Sequence, residues 1–471
     1  MARAWWVILL VATALMAPLL IAGANGLDSG AYNYTWTRQF AEGLARGELY
    51  PRWLPGSFRG LGSPAFFFYP PLAFYLAGGL DLLGLPTWQA INVAALLGLA
   101  ASGAAMWLWL RDKTPHALLW ACLYMAAPYH LTDIYVRAAL AESYAFAWLP
   151  LIALGMEGRP RLLAIAYAGL ILTHLPTAVL ASLFLIAPML TRLTMRQLAG
   201  AAVAGTIGLG LAAIYLAPAL TLQGHISTDQ LGNIALPPDR ATLWSGAIAP
   251  QHLAIVAALT ALAGATLWTA RRRGQPWLFA AIALAALAMA AGLVPVLWRA
   301  PVLRQVQFPF RALAIAEFAV VTALALAPPP RAWLRLGVGL AVIAWTASAT
   351  YAAILVPAAN APQRLKAIER TLQDAPEYMP PGTAPKGLTG YDRLPRPERF
   401  LPADRFNFPI WRVDGRPWPG PVIPLGHSVT RVTLPVERAG TLVSLAAAAA
   451  WLLWLALSRK RKAPDVAVRG P

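Results

Sequence analysis

Charge is scarce in this chain, and acid scarcest: 20 Asp and Glu stand against 38 Lys and Arg among 471 residues, and only 12% of the residues are charged. With 58% hydrophobic residues, a water-soluble fold would expose far more apolar surface than its polar groups offset, so the composition defines a polytopic membrane protein. The one cysteine, Cys122, lies in an apolar run and excludes an intrachain disulfide framework. There is no P-loop, and GTIGLGLAA at Gly205 to Ala213 is a small-residue packing pattern of a membrane helix rather than a nucleotide fingerprint. No HExxH motif or Cys cluster indicates zinc, and there is no internal repeat.

The net charge of +18 does not indicate nucleic acid, because the basic residues cluster between apolar runs and at the chain end. Spans of the roughly 20 residues a bilayer requires are predicted near 4–24, 88–110, 115–128, 143–157, 161–175, 177–191, 198–220, 249–270, 277–297, 310–327, 333–356 and 439–457. That is about 12 crossings (11–13) of an all-α polytopic protein, with the N-terminal run read as a retained first helix rather than a cleaved signal. Arg111 and Lys113, Arg159 and Arg161, Arg192 and Arg196, Arg271 to Arg273, Arg331 and Arg335, and Arg459 to Lys462 then all share the side of Arg3, which the positive-inside rule makes cytoplasmic. The alternation closes only if Pro64 to Leu85, with FFFYPPLAFYL, is re-entrant or interfacial, broken at Pro70-Pro71.

The opposite side receives Asp28 to Pro64, Tyr129 to Glu142, Thr173 to Thr177, Thr221 to Ile248, Trp298 to Arg311 and Pro357 to Arg438, together with or beside five of the six histidines: His130, His174, His225, His252 and His427. In the first of these segments Trp36, Phe40 and Leu44 recur every four residues, and Arg38, Glu42 and Arg46 form an i,i+4 ladder. The pattern predicts a helix in the membrane interface, although a packing helix has the same periodicity. In the last, FNFPIWRVDGRPWPGP followed by HSVTRVTLP reads as two or three short strands with a turn at Asp414-Gly415. The domain reading is a transmembrane module over 1–220 with a catalytic first external loop at 25–87, a variable transmembrane module over 221–357, an external Pro- and Arg-rich segment over 358–438, and a last span with a basic tail over 439–471.

Acids at the ends of membrane helices are informative because they are costly there. Asp28 closes the first span with no basic residue within a helical turn, so desolvation would raise its pKa and suit it to general-base work. Glu142 opens a span, where the helix dipole alone favours a carboxylate and a functional role is equally open. Asp133 and Arg137 are i,i+4 neighbours, and a local salt bridge is the favoured reading of Asp133. Arg52, Arg59, Arg137, Arg240, Arg304 and Arg311 are candidates for pairing with phosphate oxygens, headgroup snorkelling being the alternative for each. Arg311 and Glu317 enter one apolar run at a spacing that requires other partners. His174 sits at a turn, where capping competes with function, and Asn33-Tyr34-Thr35 fits a glycosylation sequon.

An acid at the end of the first span, a helix ending in GELYPRW, the FFFYPPLAFYL stretch, RAALAESYAF, LTHLPTAV, QFPFRAL and the late FPIWRVDGRPW together resemble polytopic glycosyltransferases of the GT-C superfamily, and among them bacterial membrane proteins labelled 6-pyruvoyl-tetrahydropterin synthase-related. The resemblance covers essentially the whole chain and implies a seven-span module, a polyprenyl-phosphate sugar donor, and inverting transfer to an external glycan or lipid acceptor at the bacterial inner membrane, with both termini cytoplasmic. It implies that Asp28 is the catalytic acid or base, Glu142 a second acid of the site, and Arg137 and Arg311 phosphate ligands. Tyr32, Arg52, Tyr69, His130 and His174 complete the candidate substrate-binding set. Many members carry two adjacent acids and a nearby histidine where this chain has Asp28-Ser29 and Tyr32-Asn33, so a divalent cation (Mg or Mn) would rest on Asp28 and Glu142. A lipid or polysaccharide transporter and a noncatalytic assembly protein are the competing readings.

Overall fold

The computed structural model describes residues 2–232, 237–246, 248–270, 274–383 and 403–460. The Arg271 to Arg273 cluster, stretch 384–402 of the Pro- and Arg-rich segment, and the basic tail from Arg461 onward lie outside the described residues. In chain order the helices are α1 (Ala2–Ala22), α2 (Gly30–Ala45), α3 (Ala65–Phe68), α4 (Leu72–Leu82), α5 (Thr87–Leu110), α6 (Ala117–Met125), α7 (Pro128–Tyr135), α8 (Leu140–Met156), α9 (Pro160–Thr173), α10 (Leu175–Ala181) and α11 (Ala187–Leu190). They continue as α12 (Met195–Leu211), α13 (Ala213–Thr221), α14 (Pro250–Thr269), α15 (Gly274–Ala290), α16 (Pro301–Arg304), α17 (Leu313–Leu326), α18 (Arg331–Ala359), α19 (Pro362–Thr371) and α20 (Pro435–Lys460).

Among the described residues, six helical stretches are long and apolar enough to cross a bilayer: Arg3–Ala22, Thr87–Leu110, Pro250–Thr269, Pro309–Leu326, Arg331–Ala359 and Pro435–Leu457. The pair α12 and α13, bent by 69°, makes a seventh if it is one span. Length thus accounts for six or seven crossings, not the twelve predicted. The difference lies in the predicted spans 115–128, 143–157, 161–175, 177–191 and 277–297, where the helices are shorter or interrupted, as at the π-turn Ser182–Ile186. α8 is buried along most of its length, and a helix walled by protein need not match the lipid thickness. Its two ends serve different layers. Glu157, at its C-terminal end, bonds Lys113 and Gln275, whereas Glu142 stands in its first turn, about 22 Å away along the axis.

The first external segment folds over the bundle end. α3 and α4 flank the break at Pro70-Pro71, and α4, with 11 residues, is too short to span. α2 does not rest its apolar face in lipid: Trp36 and Phe40 are buried in an aromatic cluster with Phe66, Tyr69 and Phe74, Trp36 lying 4.5 Å from Tyr69 and Phe40 4.8 Å from Phe66, centroid to centroid. Of the charge ladder, Arg38 and Glu42 pair at 2.8 Å, but Arg46 turns to Glu48. Four short strands, more than the two or three predicted, pack on this layer: β1 (Ala403–Phe406) pairs antiparallel with β3 (Val422–Pro424), and β2 (Trp411–Val413) with β4 (Val429–Arg431). Asp414 and Gly415 form the expected two-residue turn, both at positive φ (49° and 80°). Trp411 meets Trp53 edge-on at 5.2 Å, Phe408 meets Phe67 at 4.9 Å, and the Phe406 N–H donates to the Leu61 carbonyl at 2.7 Å.

Arg52 locks this layer to the last helix. Its guanidinium, 5% exposed, lies 3.3 Å from the Glu437 carboxylate, donates to the Ile214 carbonyl at 2.8 Å and stacks on Tyr50 at 3.8 Å. Removing one partner of a buried pair strands the other charge at a cost of about 3 kcal/mol. Arg52→Ala is therefore expected to lower the melting temperature of the detergent-solubilised protein, and Arg52→Ala/Glu437→Ala to lose less than the two single changes combined.

Candidate active site

The turn between α1 and α2 carries Asp28 in a left-handed conformation, φ +33°, which Asp tolerates better than most residues. The turn is clamped from three sides. Ser29 N–H donates to the Arg137 carbonyl at 3.1 Å; Asn25 Nδ2 donates to the carbonyls of Ile134 (3.2 Å) and Tyr135 (3.1 Å); and Asn360 accepts from the Gly26 N–H at 2.9 Å. A Cβ at Gly30 would fall 2.0 Å from the Asn25 carbonyl oxygen, so only glycine permits this approach. Asn33, of the sequon, is buried and donates to the Ala138 carbonyl at 2.5 Å.

Behind Asp28 lies a buried ionic network. The Arg137 Nη1 donates to Asp133 (2.5 Å) and to Glu142 (2.6 Å), and its Nε stands 4.0 Å from Asp28, so Asp28 has a distant cation that its sequence neighbourhood does not reveal. Glu142 also accepts from Arg311 Nε at 3.2 Å and from the Tyr129 hydroxyl at 2.7 Å. Arg311 Nη1 donates to the Val306 carbonyl at 2.6 Å. Both guanidiniums lie on aromatic faces, Arg137 at 4.8 Å from the Phe310 centroid and Arg311 at 4.9 Å from that of Phe308. Glu317 finds its partners at the start of α7, where it accepts the backbone N–H groups of Tyr129 (2.6 Å) and His130 (3.0 Å).

A cavity partly open to solvent adjoins this network and brings together Asp28, Tyr32, Trp36, Tyr69, Arg137, Glu142, His174 and Arg311 with Asn33, Gln307, Phe308, Glu377 and Tyr378. Seven of the nine site residues expected from sequence thus share one space. Arg52 does not, being tied to Glu437, and neither does His130, whose ring is fully buried and stacks on Phe146 at 3.9 Å. The cavity rim is strained: Ala138 (φ +46°) and Gln307 (φ +68°) join Asp28 as non-glycine residues at positive φ, each costing roughly 1–3 kcal/mol.

The Asp28 side chain keeps 34% of its surface accessible, and the crowding of the cavity walls raises its carboxyl above 3.8 despite the lowering influence of Arg137 and Arg311. His174 is buried; its Nδ1 pairs with Thr177 Oγ1 at 2.8 Å, and its Nε2 stands 4.0 Å from Glu142. Burial, with Asp374 nearby, raises Glu377 to about 7. The donor set does not fit a divalent cation between Asp28 and Glu142. Both Glu142 oxygens already accept hydrogen bonds, two of them from guanidiniums, and among the described residues there is no cluster of three or more His, Cys, Asp or Glu placed for a metal.

The residues missed in sequence are Trp36 as a wall, Gln307, Phe308, and above all Glu377 and Tyr378, which come from a Pro-rich segment whose pattern gives no register toward the first loop. Asp374 and Glu377 are two of several acids scattered through that segment, so residue type alone does not single them out.

No protein-family model matches the chain, and no curated protein does. Among solved structures, the single-particle cryo-EM structure of the arabinofuranosyltransferase AftD from Mycobacteria is similar, with 19% identity and a TM-score of 0.45 over 74% of this chain and 27% of that one. A mutant of the same protein gives a TM-score of 0.42 at 19% identity over the same shares. The chain spans 27% of the length of that protein.

Glu142 carries the charge balance of the site. In Glu142→Gln, Arg137 and Arg311 lose the carboxylate they share, and a destabilisation of about 3 kcal/mol is expected. Thermal unfolding of the full chain in detergent checks this; an unchanged midpoint would mean that the two guanidiniums are not held by Glu142.

Proposed function

We propose that the protein is a membrane glycosyltransferase of GT-C type, transferring a sugar from a polyprenyl-phosphate donor to a hydroxyl of a glycan or lipid acceptor on the external face of the bacterial inner membrane. The observation that carries the reading is the cavity itself. One accessible carboxylate, Asp28, opens into the same space as two fixed guanidiniums and a set of aromatic walls, Trp36, Tyr69 and Phe308.

In this mechanism Asp28 takes the proton of the acceptor hydroxyl as its oxygen attacks the anomeric carbon. The bond from that carbon to the phosphate oxygen breaks on the opposite side, inverting the centre, and the electron pair leaves on the lipid phosphate. Arg137 and Arg311 stabilise the charge that develops there. Among the described residues, Nη2 of each has no hydrogen-bond acceptor, while Nη1 of both and Nε of Arg311 are engaged by protein. Glu142 and Asp133 hold the forks in place before substrate arrives, and His174 lines the same cavity. Mg or Mn has no step in this scheme.

Three further points belong to the reading. The site end of α8 faces the periplasm and the Lys113–Glu157 end the cytoplasm, with both chain termini cytoplasmic. The bilayer adjoining Phe66 to Tyr75 delivers the polyprenyl chain. The likeness to proteins labelled 6-pyruvoyl-tetrahydropterin synthase-related is one of motifs and assigns no pterin chemistry. Transport is disfavoured because Glu317, the main intramembrane acid, is committed to the start of α7.

Purified protein incubated with radiolabelled polyprenyl-phosphate sugars is expected to release lipid phosphate, and Asp28→Asn to abolish release without lowering expression or melting temperature. Full activity in that variant would remove Asp28 from the chemistry. Because the base works only when ionised and its pKa is raised, kcat/KM should fall with decreasing pH along a limb of unit slope centred above 3.8, the ordinary value for Asp. A rate that does not fall as the pH is lowered contradicts the assignment.

A further inference from the structure

Glu377 has no assigned work in the scheme above, yet it lines the same cavity as Asp28, Arg137 and Arg311. Its Oε2 is buried and has no hydrogen-bond partner, and its carboxylate makes no ion pair among the described residues. Leaving a carboxylate oxygen unpaired away from water is unfavourable by a few kcal/mol, and such groups are rare in folded proteins unless a ligand meets them.

The segment that carries it is not a loose loop. On one side Asp374 accepts from the Trp36 indole N–H at 2.9 Å; on the other the Ser227 N–H donates to the Met379 carbonyl at 2.9 Å and the Ser227 hydroxyl to the Pro380 carbonyl at 3.0 Å. Tyr378 stacks on Phe68 at 6.3 Å with their planes 13° apart. A carboxyl group fixed at both flanks, with one buried oxygen unmet, is placed for something that enters the cavity. Its surroundings state the chemistry. A ligand there must bring hydrogen-bond donors to Glu377 and an anionic acceptor to the guanidiniums, which describes a polyhydroxylated group joined to a phosphate.

We propose that Glu377 selects the sugar of the donor, its carboxylate accepting hydrogen bonds from sugar hydroxyls while the lipid phosphate lies against Arg137 and Arg311. The inference rests on the glycosyl-transfer reading and adds a residue that binds the transferred group. It gives Glu377 no proton to move.

The test compares two probes on the full chain in nanodiscs: a polyprenyl phosphate without sugar, and the same lipid phosphate carrying each of a panel of pentoses and hexoses. Glu377→Gln is nearly isosteric, and its melting temperature is measured beside its affinities. The expected result is that the best-bound sugar-lipid loses about tenfold or more in affinity while the sugar-free lipid is bound as before. Deoxy forms of that sugar should locate the contact: removing the hydroxyl that meets Glu377 weakens binding to the wild type but adds little to the loss in Glu377→Gln. Equal loss for both lipids, or none for either, overturns the proposal while leaving the glycosyl-transfer reading in place. Wild-type protein that binds neither lipid overturns both.

Discussion

The structure turns on one carboxylate shared by two arginines. Glu142 is buried in the first turn of α8, and neither it nor Arg137 nor Arg311 is tolerable there alone, because a buried charge must be paired and hydrogen-bonded. The pairing fixes the relative positions of three parts of the chain: the end of α7, which supplies Arg137, the start of α8, and the turn before α17, which supplies Arg311. Glu317 adds a second tie, from α17 back to the start of α7. The strained backbone at Ala138 and Gln307 sits at the joints of this arrangement, where the chain has to turn so that the guanidiniums converge. Asp28 then inherits its place, since its turn is held by backbone atoms of Ile134, Tyr135 and Arg137.

A second constraint comes from above. The segments that cap this end of the bundle pack aromatic residues on each other: Trp36 with Tyr69 and Phe74, Trp53 with Trp411, Phe67 with Phe408. The strands thereby dock on the first loop, Arg52 ties that loop to α20, and the Trp36 to Asp374 hydrogen bond seats residues 375–378 against the cavity. The layer that roofs the site is also the layer that contributes Glu377 and Tyr378 to it.

Much of the site was legible because its residues are exceptions within their own runs. Asp28, Glu142 and Arg311 are charges at the ends of apolar helices, and charge there is too costly to be incidental. Arg137 was legible as a helical neighbour of Asp133. Arg52 and His130 do not join the others in the cavity, since residue type says nothing about which neighbour satisfies it. The interfacial reading of α2 failed for a related reason: the spacing of Trp36, Phe40 and Leu44 records an apolar face, not whether lipid or Phe66 and Phe74 will cover it.

The sequence by itself determined that the chain is membrane-embedded, which stretches are apolar, where the Pro70-Pro71 break falls, and that scarce acids mark one end of the bundle. These are properties of composition and short-range spacing, which solvation acts on directly. Tertiary structure alone decided that several apolar stretches become short or interrupted helices walled by protein, that Glu142 is shared by residues 5 and 169 positions away, and that Glu377 meets Asp28 in one cavity. Those outcomes depend on how buried charges find partners and how aromatic faces find cover, and both are settled by packing across the whole chain.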